Sequence, residues 1–223
     1  MAGEKLCGSV DSTEFSKYYI NTILVTLVTV TFMMFFGSLS AYAFARMEFP
    51  FKKVIFAVLM TVFMVPAQLV MIPKYLIISK LGWVDTILGI AVPNIFSVYT
   101  MFLLKQFFSG LPKELEDAGR IDGCSYFRLY WNIAVPLCKS GMVAMTVLNV
   151  LWAWNDLLWP LIATSTDKLR VLSVAMATLQ GQHGTDYPVL MAASVLAVIP
   201  MVIMYIAGQR YFIEGIAFTG VKG

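Results

Sequence analysis

Charged residues are scarce in this chain. They make up 13% of its 223 residues, whereas hydrophobic residues make up 59%, and the mean hydropathy is +0.78. Soluble domains have about 25% charged and about 45–50% apolar residues. The shortage of charge therefore excludes an ordinary soluble domain and indicates a chain that lies mostly in a membrane. A formal net charge of only +3 gives no indication of a nucleic-acid partner.

Residues suited to metal binding or catalysis are equally few. The chain has three cysteines, which lack metal-ligand spacing, and its one histidine is His183. Because no Ser/His/Asp or Cys/His set can be assembled, we predict no catalytic residue and no metal site. The sequence also lacks Gly-x-x-x-x-Gly-Lys-Ser/Thr, the loop that cradles nucleotide phosphates. We therefore expect that this chain binds no cofactor of its own.

Long stretches without Asp, Glu, Lys or Arg dominate the sequence instead. A helix needs about 20 apolar residues to cross about 30 Å of hydrocarbon. Five stretches approach or exceed that length, and they are too long and continuous for barrel strands. They predict an all-α, polytopic helical bundle with about five transmembrane helices. The stretches lie between Lys17 and Arg46 (28 residues), Lys53 and Lys74 (20), Asp85 and Lys105 (19), Lys139 and Asp156 (16), and Asp186 and Arg210 (23).

The distribution of basic residues predicts the orientation. Ten lysines and arginines follow the first, third and fifth apolar stretches, and six lie in the other connections. Since cytoplasmic loops carry the excess of positive charge, the segment after the third stretch and the C-terminus are expected in the cytoplasm. The polar segment 1–16 then lies outside with no span ahead of it. We expect that a preceding span is missing, the alternative being a genuine five-span protein.

This orientation divides the chain into a polar N-terminal segment (1–16), a transmembrane domain (17–210) and a cytoplasmic tail (211–223). The transmembrane domain contains one long polar connection, residues 109–139, which we call the island. Pro112 can open a helix there, and Gly123 can end it. A second short helix over Ser125 to Ile133 would present an aromatic face, which consists of Tyr126, Phe127, Tyr130 and Trp131. Two angled helices can enter a partner's groove, although an amphipathic interfacial loop would have the same pattern.

The island resembles the EAA loop of permease subunits in binding-protein-dependent ABC importers. That loop reads Glu-Ala-Ala, three residues, Gly, nine residues, Ile-x-Leu-Pro. This chain departs from it with Asp117 for Glu, Gly119 for Ala and Val135 for Leu, and Gly119 should weaken the first helix by up to about 1 kcal/mol. The resemblance implies that the island contacts an ATPase. The residues it assigns to this contact are Asp117, Ala118, Gly119, Asp122, Gly123, Ile133 and Pro136.

Other segments resemble the sugar-importer branch of these permeases, in particular the maltose-type second permease subunit. They are Tyr19–Thr22, Ala41–Arg46, Trp154–Pro160 and the terminal Gly220–Gly223. The resemblance implies a multi-pass protein of the cell membrane that forms part of a sugar path. It also implies a separate cytoplasmic ATPase that uses the ATP, a second homologous permease subunit and an extracytoplasmic solute-binding protein. The C-terminal Lys222 and Gly223 would contact the ATPase.

Three polar features remain outside the island. Asn155 and Asp156 can line the translocation path, but a capped or solvated Asp156 near the outer end of its span is equally compatible with the sequence. Asn149 and Asn155 are expected to hydrogen-bond between helices, a role preferred for both over contact with a sugar. The outer connection, about residues 164–187, predicts a small helix followed by a tip at Gly181–Gly184 that lies against the solute-binding protein. Pro66, Pro73 and Pro93 are expected to kink their spans.

The sequence leaves two alternatives to a sugar-importer permease open. One is an ABC importer permease for a solute that is not a sugar. The other is a self-sufficient secondary transporter, a class that often has inverted repeats and broken spans in both halves. No internal repeat is evident in the sequence, so the importer permease is the preferred interpretation.

Overall fold

The computed structural model describes the backbone of residues 12–179 and 187–220 and the side chains of 15–179 and 187–209. Within those ranges the chain is helical and contains no strand. The predicted loop tip at Gly181–Gly184, with His183, and the tail residues Lys222 and Gly223 lie outside the described residues.

The helices follow one another with short connections. Twelve α-helices are described: α1 (Ser12–Arg46), α2 (Lys52–Val62), α3 (Met71–Lys80), α4 (Ile87–Ala91), α5 (Val98–Ser109), α6 (Lys113–Ile121), α7 (Tyr126–Leu129), α8 (Val135–Leu137), α9 (Lys139–Asn155), α10 (Leu158–Ala163), α11 (Leu172–Thr178) and α12 (Tyr187–Gly220). The 3-10 turns Ala67–Val70, Val92–Asn94 and Asp167–Leu169 and a π-helical turn, Tyr130–Ala134, join several of them.

The prediction of about five spans in an all-α chain is confirmed. Two single helices of the described chain are long and apolar enough to cross a membrane, Phe15–Arg46 and Tyr187–Gln209. Three further spans arise if each pair of helices joined by a short break counts as one. These pairs are Lys52–Val62 with Ala67–Lys80, Ile87–Asn94 with Val98–Ser109, and Tyr126–Leu137 with Lys139–Asn155. Each candidate span covers most of one charge-free stretch.

Prolines explain two of the three breaks. Pro66 lies in the break after α2, and Pro93 lies in the 3-10 turn that follows α4. Pro73, in contrast, is the third residue of α3. Its missing N–H is harmless there because the first turn of a helix has no intrahelical acceptor for it. The predicted kink at Pro73 is therefore wrong, and the second span breaks at Pro66 alone.

The contacts divide the chain into two compact units. The first comprises Met1–Thr29, Ala67–Asn94 and Val150–Ile206, and the second comprises Val30–Pro66, Ile95–Asn149 and Ala207–Gly223. Two of the unit boundaries coincide with the breaks in the second and third spans.

The first unit has an apolar core to which α11 contributes. The Thr22 hydroxyl accepts a hydrogen bond from the Leu172 N–H at 2.8 Å, which fixes the start of α11. The helix predicted from the apolar positions of the outer connection is thus present, with its apolar side buried. The core residues are Val25, Ile78, Ile90, Trp159, Ala163, Val171 and Val174.

The second unit contains a buried polar contact between spans. The Thr100 hydroxyl donates to Asn149 Oδ1 at 3.0 Å, and Asn149 Nδ2 donates to the Met34 sulfur at 3.3 Å. Asn149 is 4% exposed and Thr100 is fully buried. Pairing these polar groups removes the cost of leaving them unsatisfied among apolar side chains. The interhelical role predicted for Asn149 is confirmed.

Asp85 ties two connections of the first unit together. It has a left-handed backbone, with φ of 58°. Its Oδ1 accepts hydrogen bonds from the Ser165 N–H at 2.7 Å and the Thr166 N–H at 3.0 Å. Its own N–H donates to the Ala163 carbonyl at 3.1 Å. The connection that leads towards α11 is therefore anchored to the turn between α3 and α4.

This anchor should depend on pH. Partial desolvation raises the pKa of Asp85, but the hydrogen bonds from Thr166 and Ser165 outweigh it, and the net effect is a pKa below the usual value of 3.8. A carboxyl with a lowered folded-state pKa stabilises the fold above the unfolded pKa, and this is lost as pH falls through the folded pKa. Amide hydrogen exchange of residues 164–170 should therefore accelerate below pH 3.8.

The variants Asp85→Asn and Asp85→Ala separate charge from geometry. Asn keeps an acceptor and tolerates the left-handed backbone, whereas Ala loses both advantages. We expect exchange of the Ser165–Thr166 amides to be fastest in Asp85→Ala and pH-independent in both variants, after correction for intrinsic exchange. Wild-type exchange that shows no acid-dependent change would contradict the anchor.

Candidate functional site

The first helix of the island, α6, has its charges arranged along its dipole. Glu114 and Glu116 lie in the first turn, and Arg120 lies in the last. Acidic groups near the N-terminus and basic groups near the C-terminus both favour a helix. Pro112 precedes the first helical residue, as the sequence predicts. A strongly amphipathic nine-residue helix results, with Glu116 and Gly119 on its buried side.

The turn after α6 is a Schellman motif. The Gly123 N–H donates to the Arg120 carbonyl and the Cys124 N–H donates to the Gly119 carbonyl, at 3.0 and 2.9 Å. Gly123 has φ of 77°, a conformation that glycine adopts without strain. The predicted break at Gly123 is confirmed, and its geometry is now specific: a left-handed cap ends α6 and reverses the chain towards α7.

The second half of the island begins with a cap and continues through a π-helical turn. The Ser125 hydroxyl accepts a hydrogen bond from the Arg128 N–H at 3.4 Å, at the start of α7. The π-helical turn Tyr130–Ala134 and α8 follow, and the chain then bends by 83° at the junction before α9. The second short helix predicted over Ser125 to Ile133 is therefore present but not regular.

Gly119 lies where the two halves of the island pack together. A Cβ atom at this position would lie 2.5 Å from Leu129 Cδ2 and 3.2 Å from Ile133 Cδ1. The sequence pattern treats Gly119 as a weaker substitute for alanine. The structure gives a packing reason for glycine here, because Leu129 is only 1% exposed and has little room to move.

The island exposes a set of large apolar side chains. The guanidinium of Arg120 lies 4.9 Å from the ring centroid of Tyr126, at the edge of this set. Tyr130, which the sequence assigned to the aromatic face, is instead 2% exposed, and its hydroxyl shares a 2.7 Å hydrogen bond with that of Ser38. The exposed residues are Leu115 (42%), Ile121 (87%), Tyr126 (45%), Phe127 (59%), Trp131 (56%) and Leu137 (53%).

The residues assigned by resemblance fall into two groups. Gly119 is buried and Ile133 is half-buried, so both serve the packing of the island itself. The others are exposed and accessible to a partner on the same polar segment: Asp117, Ala118, Asp122, Gly123 and Pro136. The island thus has buried residues that pack its two halves together and an exposed surface of charged and apolar side chains.

Sequence reasoning missed the anchor of the island. Arg46, the last residue of α1, lies 3.0 Å from Glu116 through its Nε, and the two side chains are only 5% and 9% exposed. Arg46 also donates to the carbonyls of Leu111 and Pro112. The one signal in the sequence is the position of Arg46 at the end of the longest charge-free stretch.

Asp156 lies in a polar cluster of the first unit. Its Oδ1 accepts a 3.5 Å hydrogen bond from the Trp159 N–H, and it interacts electrostatically with Lys74. Lys74 Nζ donates to Asn94 Oδ1 at 2.9 Å and lies 4.5 Å from the centroid of the Trp159 ring. The basic group that acts on Asp156 is thus Lys74 of α3, a partner that the sequence did not predict.

The interhelical hydrogen bond predicted for Asn155 is wrong, because its Nδ2 donates to the Leu151 carbonyl of its own helix at 2.7 Å. Its side chain and that of Asp156 therefore have protein partners. A role of Asn155 and Asp156 in the translocation path remains a prediction.

The chain consists of apolar spans and a polar pair of short helices, α6 and α7, whose exposed side chains are accessible to a partner. This combination defines it as an integral membrane transport component. The chain belongs to the family of binding-protein-dependent transport system inner membrane components, whose sequence model matches residues 19–217. The resemblance predicted from the island is thereby confirmed.

The relatives of this chain include permeases named for sugar transport and one named for sn-glycerol 3-phosphate transport. The arabinooligosaccharides transport system permease protein AraQ of Halalkalibacterium halodurans is 35% identical over 206 residues, covering 92% of this chain and 74% of its own length. The melibiose/raffinose/stachyose import permease protein MelC of Bacillus subtilis is 34% identical over 209 residues (92% and 75%). The sn-glycerol-3-phosphate transport system permease protein UgpE of Yersinia pestis is 30% identical over 208 residues (92% and 74%).

Solved structures share the fold. A chain of a bacterial ABC transporter involved in the import of the acidic polysaccharide alginate matches with a TM-score of 0.80 and 23% identity, over 95% of this chain and 79% of that one. A chain of the MetNI methionine ABC transporter matches with a TM-score of 0.65 and 15% identity, over 90% and 95%. At these identities the likeness describes the fold alone.

Proposed function

We propose that this chain is a membrane-spanning permease subunit of an ATP-binding-cassette importer that takes up a sugar or oligosaccharide. The observation that carries the proposal is the island, whose internal contacts fix a partner-facing surface. Family membership and two relatives, at 35% and 34% identity, named for oligosaccharide or melibiose import support the substrate class. In this proposal a separate ATPase subunit hydrolyses the ATP and docks on the island.

The remaining partners follow from the same assignment. A second homologous permease subunit completes the translocation path, and an extracytoplasmic solute-binding protein docks near the connection that follows α11. The island and the C-terminus face the cytoplasm, as the ten-to-six distribution of basic residues supports. Lys222 and Gly223 at the end of the chain contact the ATPase.

A cysteine cross-link tests docking and orientation together. Ile121 is the best probe because it is 87% exposed, whereas Ser125 caps a helix. In a background with Cys7, Cys124 and Cys138 replaced by serine, we expect Ile121→Cys to cross-link to the ATPase subunit of the assembled complex. An impermeant thiol reagent should not label Ile121→Cys in spheroplasts or intact cells.

The matched control is Lys80→Cys, an exposed position at the end of α3 that the proposal places outside. It should be labelled by the impermeant reagent and should form no cross-link with the ATPase. The reverse pattern, or the absence of any cross-link from Ile121→Cys in an assembled complex, would contradict the proposed docking.

A further inference from the structure

One face of α1 holds the island in place. Ser38, Tyr42 and Arg46 are spaced four residues apart, so they lie one above another on the same side of the helix. All three belong to the second unit, as does the whole island. Ser38 is hydrogen-bonded to Tyr130, and Arg46 is paired with Glu116. The end of the first span therefore contacts both halves of the island.

Arg46 makes the contacts at the start of α6. Its guanidinium pairs with Glu116 in the first turn and donates to the carbonyls of Leu111 and Pro112, just before the helix begins. A guanidinium has five donors in a rigid fork, so one side chain can fix three groups at once. The position and direction of the N-terminal end of α6 are thus set by the last residue of α1.

Tyr42 links this ion pair to the second half of the island. It is 2% exposed, and its ring lies 5.7 Å from that of Phe108 and 5.4 Å from that of Tyr130. Its hydroxyl is buried beside the Glu116 carboxylate without a well-aligned hydrogen bond. The Arg46 Nε and Glu116 Oε1 atoms also lack well-aligned hydrogen bonds, although they lie at ion-pair distance. The contact is therefore close, buried and electrostatic.

Glu116 and Asp117 are adjacent in α6, but one is buried and the other is exposed. Glu116 is buried on the side of α1, whereas Asp117 is exposed on the side available to a partner. Since α6 is a short helix of nine residues, a displacement of its outer side must also displace Glu116. The side chain paired with Glu116 at 3.0 Å is that of Arg46.

We infer that Arg46 and Glu116 are a positioning pair that transmits movement of the island to the first span, and so couples ATP hydrolysis to transport. The inference rests on the proposed function, because it requires an ATPase that docks on the island. The proposed role differs from that of a contact that only stabilises the fold. A purely stabilising contact can be replaced by any packing of similar volume. A transmitting contact instead needs the ion pair with Glu116 together with the two hydrogen bonds from Arg46 to the Leu111 and Pro112 carbonyls.

The test compares single and double replacements in the reconstituted complex. Removing one partner of a buried ion pair leaves an unpaired charge, whereas replacing both by apolar residues of similar size is often neutral for stability. We expect Arg46→Met and Glu116→Leu alone to lower the amount of complex in the membrane. The double variant should restore that amount and the cross-link from Ile121→Cys.

The readout that separates coupling from folding is the amount of solute imported per ATP hydrolysed. Radiolabelled arabinotriose, raffinose and glycerol 3-phosphate serve as probes, and the solute that wild-type complex imports is used throughout. We expect the double variant to import at least about fivefold less per ATP, the lower end of couplings between sites. A wild-type ratio in the double variant would overturn the inference.

Arg46→Lys keeps the positive charge. It tests the inference even if the double variant does not accumulate in the membrane. Lysine cannot reproduce the fork geometry, so we expect normal amounts of complex with about fivefold lower import per ATP. An unchanged ratio in Arg46→Lys would overturn the inference in that case. The control is Glu48→Gln, which removes an exposed pair with Lys52 and should change neither amount nor ratio. Failure of the proposed function is distinguishable, because Ile121→Cys with Arg46 and Glu116 unchanged would then form no cross-link to the ATPase.

Discussion

Replacing Gly123 by proline is expected to abolish coupled transport while leaving the chain in the membrane. Proline fixes φ near −65°, whereas Gly123 has φ of 77°. It also removes the N–H that donates to Arg120 and disfavours the helical backbone of Asp122 before it. These effects together cost about 3 kcal/mol or more at the turn. Uptake per ATP hydrolysed and the amount of chain in the membrane are the two measurements.

A series at this position distinguishes backbone strain from bulk. A Cβ at Gly123 would have no atom within 4 Å, so size is not penalised there. Asparagine tolerates the left-handed conformation, whereas alanine costs about 1–2 kcal/mol. We therefore expect coupling to fall in the order Gly, Asn, Ala, Pro. An order that follows side-chain volume instead, or normal coupling in Gly123→Pro, would refute the assigned role of this turn.

Replacing Gly89 by alanine is expected to destabilise the first unit. Gly89 is buried in α4, and a Cβ there would overlap the backbone carbonyl oxygen of Trp83. That carbonyl cannot yield easily, because it accepts hydrogen bonds from the N–H and the hydroxyl of Thr86. Overpacking of this kind costs about 1–3 kcal/mol, and more where the obstacle is backbone. We expect a lower melting temperature of the purified protein, by about 2–4 °C per kcal/mol.

Gly110→Ala is the matched control for this loss of a glycine. Gly110 ends α5 with φ of −79°, and a Cβ there would meet its nearest atom at 3.5 Å, an ordinary contact. Its melting temperature should stay close to that of wild type, since substitutions without strain or burial stay within about 0.5 kcal/mol. Equal melting temperatures for Gly89→Ala and Gly110→Ala would show that the Trp83 contact is not rigid.

The sequence predicted the spans well because the membrane constrains composition directly. A segment in hydrocarbon must satisfy its backbone within a helix and avoid unpaired charge, so a charge-free stretch of sufficient length is itself the signal. The spacing of the island was equally visible, because Pro112 and Gly123 are restricted by their own backbone chemistry. The glycine turn predicted at Gly123 is present with a positive φ.

The sequence predicted less well which side chains of the island are buried and which are exposed. Tyr130 was assigned to the exposed aromatic face but is buried against Tyr42 and Phe108. The cause is packing against other helices, since the Tyr130 hydroxyl shares a hydrogen bond with that of Ser38 and its ring lies 5.4 Å from that of Tyr42. A local 3.6-residue period cannot foresee such contacts between distant segments.

The sequence by itself determined the class of this protein, its spans and the turns of its island, because these depend on local composition and on the backbone limits of single residues. The tertiary structure alone decided the partners of isolated charges: Glu116 with Arg46, and Asp156 with Lys74. These pairs join residues 70 or more positions apart. Such pairing is set by how helices pack, which no local pattern encodes, and it decides which charges remain free to meet a partner.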